Sequence, residues 1–376
     1  MLEGASPLPT SLDEQPLNLG IGKGEFRMWQ VVGQTRAVSL LQRSLERGSL
    51  AHAYLLIGPA HVGKMALALN LAQALNCEAT DPPCGECASC QKIALGKHAD
   101  VQIIGLTSNG NSAEAKPRAE ISIDQIRQMQ HSASLPPFEG RYKVFIVDRA
   151  EQLSNEAANC LLKSLEEPVG KVIFILLAIS ESLLPATVTS RCQQLKLPPL
   201  AATEVETALN SGWGIEPQKA RLLARLSHGC LGWAISAASD DGLLQQRTQQ
   251  LDRLLDIINA DYEERFAYAA QLAAQFSQNR GWVQEILDLW LDWWRDLLLV
   301  KVGCNDTITN IDRSATLIEM ARGYNLAQIK VFINNIQAAG EQLRLNANPQ
   351  LVLETFMLSI PGRRGELGEI PLPNLR

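Results

Sequence analysis

From Val31 to about Pro198 the chain alternates short, continuous apolar runs with amphipathic stretches. Tyr54-Leu-Leu-Ile57, Val101-Gln-Ile-Ile104, Val144-Phe-Ile-Val147 and Val172-Ile-Phe-Ile-Leu-Leu177 each read as a buried strand. Runs that stay apolar at successive positions, and not only at every second one, mark strands covered on both faces, as in a parallel sheet flanked by helices. Leu67, Leu71 and Leu75 after the first run, and Ala157, Leu161 and Leu165 after the third, recur at helical spacing. The pattern predicts an α/β domain over residues 28–198. Residues 105–120 interrupt it with a polar, Gly-rich insertion expected to be a surface loop.

After Pro198-Pro199 the strand pattern stops. Residues 199–242 are rich in Ala and Leu and broken by Gly212, Gly214, Gly229 and Gly232, which predicts a small helical domain. Residues 243–362 are expected to be helical throughout. Leu251, Leu254, Leu255 and Ile258 share one stripe, and Trp282, Ile286, Leu289, Trp293, Leu297 and Val300 share another. Trp282, Trp290, Trp293 and Trp294, four of the 7 tryptophans, fall on that second helix. An aromatic-rich face of this kind serves a bundle core and a subunit interface equally well, so both readings stand. Residues 1–27, without period, read as a flexible extension, and residues 363–376 as a loose tail.

Composition narrows the class. With 376 residues, 46% hydrophobic and 20% charged, the chain can bury more than one core, which excludes disordered, collagen-like and disulfide-stapled classes. Lys plus Arg is 34 against 40 Asp plus Glu, a net charge of −6, which argues against a broad basic face gripping nucleic acid unaided. Contact with DNA would come through a larger complex. No secretory signal precedes the first domain. The most apolar helix, Trp282–Val302, carries Glu285, Asp288, Asp292, Arg295 and Asp296, which a bilayer centre penalises. A soluble, cytoplasmic protein with no membrane partner is expected.

Four of the 8 cysteines cluster as Cys77, Cys84, Cys87 and Cys90, a C-x6-C-x2-C-x2-C run. In a reducing compartment thiolates at this spacing converge on a tetrahedral ion, so the run reads as a structural Zn²⁺ module over 77–90. Pro82, Pro83 and Gly85 supply the turns it needs. The alternative is a set of unligated buried thiols.

Gly58-Pro-Ala-His-Val-Gly63-Lys64-Met65 follows the first strand and opens a helix, the context in which G-x4-G-K cradles phosphate. Glycines let backbone N–H groups turn inward, and Lys64 reaches the outer phosphates. A Ser or Thr hydroxyl normally follows the Lys and holds Mg²⁺; Met65 offers only a soft thioether. ATP or ADP remains a candidate ligand, without a productive metal geometry. Asp148 ends the third strand where an acidic residue supports Mg²⁺ in such folds, or else it is a turn residue ahead of the helix near Ser154. His52, His61, His98, His131 and His228 sit singly, and no Ser/His/Asp or Cys/His constellation lies near the loop. His61 reads as a tolerated variable position and His52 as a packed helix-end residue.

These residues carry a family resemblance. Val32-Gly33-Gln34, Ala51-His-Ala-Tyr-Leu-Leu-Ile-Gly58, the four-cysteine module, Ile123-Asp-Gln-Ile-Arg127, Ala158-Asn-Cys-Leu-Leu-Lys-Ser-Leu-Glu-Glu-Pro168 and Ser190-Arg191-Cys192 occur in order. As an ordered set they resemble the clamp-loader AAA+ family of bacterial DNA polymerase III, closely from Trp29 to Ala238 and by architecture beyond. The resemblance implies an AAA+ P-loop parallel-sheet domain with an inserted zinc module, a helical lid and an all-α collar through which five subunits assemble. It implies delta and tau/gamma subunits as partners, a sliding clamp, and primer–template DNA reached through the complex. It also implies that Arg191 acts in trans as an arginine finger on a neighbour's nucleotide, a role suited to a planar, permanently charged guanidinium. A helix-end salt bridge is the simpler use of that residue.

The motor subunits of the family carry a Glu after the strand-end Asp and an Arg in the lid. Arg149 and Gly232 stand there instead. Glu151, two residues on, is expected to be aimed elsewhere as the chain turns. With Met65, these losses point to a non-motor subunit with little or no ATP turnover of its own; the alternative is an ATP-hydrolysing motor of the tau/gamma type.

Overall fold

Continuous burial along three of the apolar runs builds the centre of the sheet; the fourth, Val101–Ile104, is an edge strand whose Gln102 is exposed, against the expectation of burial on both faces. In the computed structural model β1 (Ala53–Ile57), β2 (Val101–Ile104), β3 (Lys143–Val147), β4 (Val172–Ala178) and β5 (Gln193–Lys196) form one parallel sheet in the order β2-β3-β4-β1-β5. Residues 29, 31–106, 120–167 and 170–362 are described. The expected N-terminal extension 1–27, most of the 105–120 insertion and the tail 363–376 lie outside them.

Successive side chains of each strand serve opposite faces, which explains the unbroken apolar runs. Tyr54, Leu56, Ile146, Ile173 and Ile175 join one core cluster with Leu67, Leu71 and Leu75 of the helix Lys64–Asn76. Leu55, Phe145, Val147, Phe174 and Leu176 join the other with Ile126 and Met129 of the helix Ile123–Ser134 and Ala157, Leu161 and Leu165 of the helix Asn155–Glu166. Phe145 and Phe174 stack across β3 and β4 with ring centroids 5.6 Å apart.

The strand β5 is absent from the sequence reading. It is an edge strand, paired only with β1, and of its residues Gln193, Gln194, Leu195 and Lys196 only Leu195 is buried. A search for continuous apolar runs passes over such an element because one side of it faces solvent. The start of the domain is tied to its end: Gln34, buried, donates its side-chain N–H to the Pro198 carbonyl at 2.9 Å.

The chain divides into two compact units, Met1–Ala220 with Gly229–Ile235, and Arg221–His228 with Ser236–Arg376. The second is a helical bundle built on Asp241–Asn259, Tyr262–Gln278, Arg280–Lys301, Ser314–Gly323, Leu326–Arg344 and Pro349–Leu358. Leu251, Leu254 and Ile258 are buried in it as the first stripe requires. Trp290, Trp293 and Trp294 are 0% exposed, Trp290 packing with Phe332 and Phe356 and Trp294 with Tyr324 and Phe332, so these three are bundle core, while Trp282 is half-buried. No helix among the described residues is long and apolar enough to cross a membrane.

Helix is not continuous over 243–362. Residues 303–313 form a loop with two short 3-10 turns, Asn305–Thr307 and Ile311–Arg313, entered at Gly303 with φ of 84°. The cause is Asp296, fully buried on the preceding helix. Its carboxylate accepts the N–H groups of Thr309 and Asn310 at 2.9 and 2.7 Å and the Asn310 side-chain amide at 2.8 Å. That one side chain satisfies buried donors a helix would otherwise have used internally, and so pins the loop. Asp296→Ala leaves those donors buried and unpaired, so the helical unit should lose about 3 kcal/mol. Urea unfolding followed by tryptophan fluorescence checks this as a lower midpoint at unchanged slope.

Candidate functional site at the carboxyl ends of the strands

In open parallel sheets ligands bind beyond the carboxyl ends of the strands, where the strand order reverses. Here β4 lies between β1 and β3, so the loop after β1 and the residues after β3 open side by side. The loop 58–63 turns sharply: His61 and Gly63 have φ of 60° and 105°, the left-handed region, before the helix that starts at Lys64. Gly63 is tolerated there because it lacks a Cβ.

The Lys64 ammonium donates to the carbonyls of Gly58 and Pro59 at 2.5 and 2.7 Å, stitching the loop together. Burial pulls its pKa below the ordinary lysine value, while Glu151 and Asp148 oppose the shift. Asp148 follows β3, where its Oδ1 accepts the Arg149 N–H at 3.0 Å. Arg149 itself takes the left-handed conformation, φ 52°, and starts the 3-10 turn Ala150–Gln152. Glu151 lies in that turn, and its charge, like that of Asp148, raises the pKa of Lys64. The Oε2 of Glu151 is buried and makes no hydrogen bond. Met65 packs against the core cluster of the sheet, which accounts for an apolar residue at this place.

The Gly232 N–H donates to the His61 carbonyl at 3.0 Å, and Cys230 lies near enough for its thiol and Lys64 to act on each other electrostatically. A Cβ at Gly232 would stand 2.8 Å from the His61 oxygen. The segment therefore seats directly on the phosphate loop, and any larger residue at 232 would have to move it away. His61 takes part in this contact through its backbone carbonyl. His52 is not at the end of a helix of its own but in the bend before β1, with its Nε2 2.8 Å from the Leu165 carbonyl in the last turn of Asn155–Glu166.

Arg191 follows the short helix Ala186–Thr189 and precedes β5. Its Nη1 donates to the Thr187 carbonyl at 2.8 Å and its Nη2 meets Glu166 Oε1 at 2.5 Å. The side chain keeps 35% of its surface exposed. A helix-end ion pair is thus present in the chain by itself, and the remaining guanidinium donors stay available.

The cysteine module forms where the phosphate-loop helix ends. Cys77 caps the helix Lys64–Asn76, and Cys87 caps the helix Ala88–Ala94. The sulfurs of Cys77, Cys84, Cys87 and Cys90 all lie within 4.8 Å of one another, so the cluster can hold a metal ion. The N–H groups of Cys84, Cys87 and Cys90 donate to the Sγ of Cys77, Cys84 and Cys87 at 3.4, 3.3 and 3.5 Å. Burial opposes ionisation of Cys87, yet the N–H groups of Glu78 and Cys90 outweigh it and hold its pKa at about 7. Buried Cys90 is pushed upward instead. Sulfurs converging this way, with backbone donors already aimed at them, fit a tetrahedral thiolate site.

Sequence reading does not anticipate the wiring around this module. Asn76 Oδ1 accepts the N–H groups of Arg141 and Tyr142 at 2.8 and 2.9 Å, and Asp100 accepts those of Phe138, Glu139 and Gly140. His98, buried, accepts the Asp100 N–H on Nδ1, which leaves Nε2 to donate to Ser89 Oγ at 3.1 Å. These groups fasten the module to the turn before β3. The bonds of Asn76 and Asp100 to this turn span 38 to 66 residues of chain, a separation that local periodicity cannot register.

Similarity to known proteins agrees with this architecture. The profile of a family described as "DNA polymerase III, delta subunit" matches residues 33–201, and that of "DNA polymerase III, delta subunit, C terminal" matches residues 241–361. The delta' subunit of DNA polymerase III from Bacillus subtilis (strain 168) is 28% identical over 328 residues, covering 87% of this chain and 96% of that protein. The tau subunit from Escherichia coli (strain K12) is 35% identical over 243 residues, 61% of this chain but 36% of that protein, so the chain spans about a third of tau. Among solved structures, a DNA polymerase III gamma subunit-related protein from Thermotoga maritima aligns with 86% of this chain and 98% of its own at 17% identity and a TM-score of 0.43. With both delta-type profiles met in order along one sequence, the chain belongs to the DNA polymerase III delta-subunit family of clamp-loader proteins.

Proposed function

We propose that this chain is the non-motor, delta-prime-type subunit of a cytoplasmic clamp loader. It assembles with delta and tau/gamma subunits in a hetero-pentamer and takes part in placing the sliding clamp on primer–template DNA. The observation that carries the reading is a phosphate loop kept in shape without its hydrolytic groups. Gly58, Gly63 and Lys64 stand where a nucleotide would be cradled, and Asp148 where an acidic partner belongs. Met65, turned to the core, is no ligand for a hard cation, and Arg149 cannot accept a proton from water. Gly232 puts backbone, and no arginine, against the loop.

Arg191 then supplies charge to the nucleotide of a neighbouring subunit. Its exposed guanidinium and unused donors suit a phosphoryl group, on which they would stabilise developing negative charge. The module of Cys77, Cys84, Cys87 and Cys90 holds a structural Zn²⁺. Four thiolates leave no open coordination position, so the ion crosslinks the fold and does no chemistry.

The 35% identity to a tau subunit favours a second reading, a motor subunit with Glu151 as the base. ATP hydrolysis by the purified chain alone separates the two. The first reading expects no turnover above background; Mg²⁺-dependent turnover abolished by Lys64→Ala would establish the second.

In a complex reconstituted with its partner subunits, Arg191→Ala should leave assembly intact on size exclusion and lower DNA-stimulated ATP hydrolysis severalfold. The site it serves should lose on the order of a thousandfold. Undiminished hydrolysis would remove the finger role. Metal analysis of the chain purified without chelator should find about one Zn²⁺ per molecule, and Cys84→Ser or Cys87→Ser should abolish it.

A further inference from the structure

Glu166 is the final residue of the helix Asn155–Glu166, and a carboxylate is out of place there. The carbonyl end of a helix carries partial negative charge, so an acidic side chain at this end weakens the helix slightly. Helix stability does not account for the residue. Its geometry offers another account: Glu166 Oε1 meets Arg191 Nη2 at 2.5 Å, from an element that ends 20 residues before the short helix preceding Arg191 begins.

Both ends of this pair are anchored. The end of Glu166's helix is held through the Leu165 carbonyl, which lies 2.8 Å from His52 Nε2 on the approach to β1. On the other side, Arg191 Nη1 donates to the Thr187 carbonyl at 2.8 Å, filling a position in the last turn of the short helix Ala186–Thr189. Two contacts at different nitrogens of one planar group fix its plane as well as its place. A guanidinium has five N–H donors; three are used here, on Glu166, Thr187 and, at 3.5 Å, the Ser190 hydroxyl, so two remain for an anion. The pair is not a lock either. Glu166 and Arg191 keep 48% and 35% of their side-chain surfaces exposed, and exposed ion pairs are weak. Such a contact orients a side chain yet yields to a multiply charged phosphate.

We propose that Glu166 is a positioning residue for Arg191: it holds the guanidinium in the orientation from which the neighbouring subunit's nucleotide is reached. The inference rests on the finger role of Arg191 described above, and its failure can be told apart from failure of that role. A carboxylate that pre-orders the arginine lowers the entropy to be lost when the phosphoryl group arrives, which acts on kcat and not on ATP binding.

The test uses the reconstituted clamp loader with clamp and primed DNA present, comparing Glu166→Gln, Glu166→Asp, Arg191→Ala and the double variant E166Q/R191A. Glu166→Gln keeps the shape and removes the charge; it should lower kcat for ATP hydrolysis by roughly two- to fivefold, with KM for ATP unchanged. Glu166→Asp, which retains the charge, should recover most of the loss, and Glu166→Gln should add nothing once Arg191 is Ala. Unchanged kcat in Glu166→Gln, or an equal further loss in the R191A background, would overturn the positioning role while the loss in Arg191→Ala leaves the finger standing. A higher kcat in Glu166→Gln would make the carboxylate a brake and overturn it too. Full hydrolysis in Arg191→Ala would remove the finger and this inference together. Size exclusion of each variant complex confirms that the comparison is made on assembled protein.

Discussion

The insertion of β4 between β1 and β3 is the constraint on which the sheet unit's site depends. Parallel strands need crossover connections, and a strand inserted between two earlier ones forces their following loops apart by one strand width at the same edge. That separation lets Lys64, Asp148, Arg149 and Glu151 share one electrostatic environment although they are up to 87 residues apart in the chain. The cores on the two faces of the sheet hold the arrangement. The central strands β1, β3 and β4 give alternate side chains to each core, so a register shift would expose the apolar side chains that now fill both.

Around that edge packing and backbone contacts close the loop 58–63. Met65 packs on the core, and the Gly232 amide bonds the loop through the His61 carbonyl. A Cβ at position 232 would stand 2.8 Å from that oxygen, an approach that favours glycine. Arg191, outside this closed region, stays half exposed with its orientation set by its own subunit.

The cysteine cluster is placed by the same helix that begins at Lys64. Its last residue, Asn76, fastens the turn at 141–142, and the next, Cys77, supplies a sulfur. A metal there would tie the far end of the phosphate-loop helix to the turn before β3 through short covalent and hydrogen-bonded steps, which is a means of stiffening a small insertion that has little apolar core of its own.

Much of this was legible in the linear chain because its signals are local. The three buried strands appear as unbroken apolar runs, the helices as stripes such as Leu67, Leu71 and Leu75, the loop after β1 as G-x4-G-K, and the sulfur cluster as paired C-x2-C spacings. Each depends on residues a few positions apart, where backbone geometry alone fixes who faces whom. Tertiary structure decided the rest. It showed β5, whose polar residues hide its pairing with β1; it sent Trp290, Trp293 and Trp294 into the bundle core; it pinned the loop after Lys301 to Asp296, whose carboxylate reaches donors 13 and 14 residues away; it gave Arg191 its partner in Glu166. Those outcomes depend on which distant groups compete for the same donor, charge or volume, and a periodic pattern carries no record of that competition.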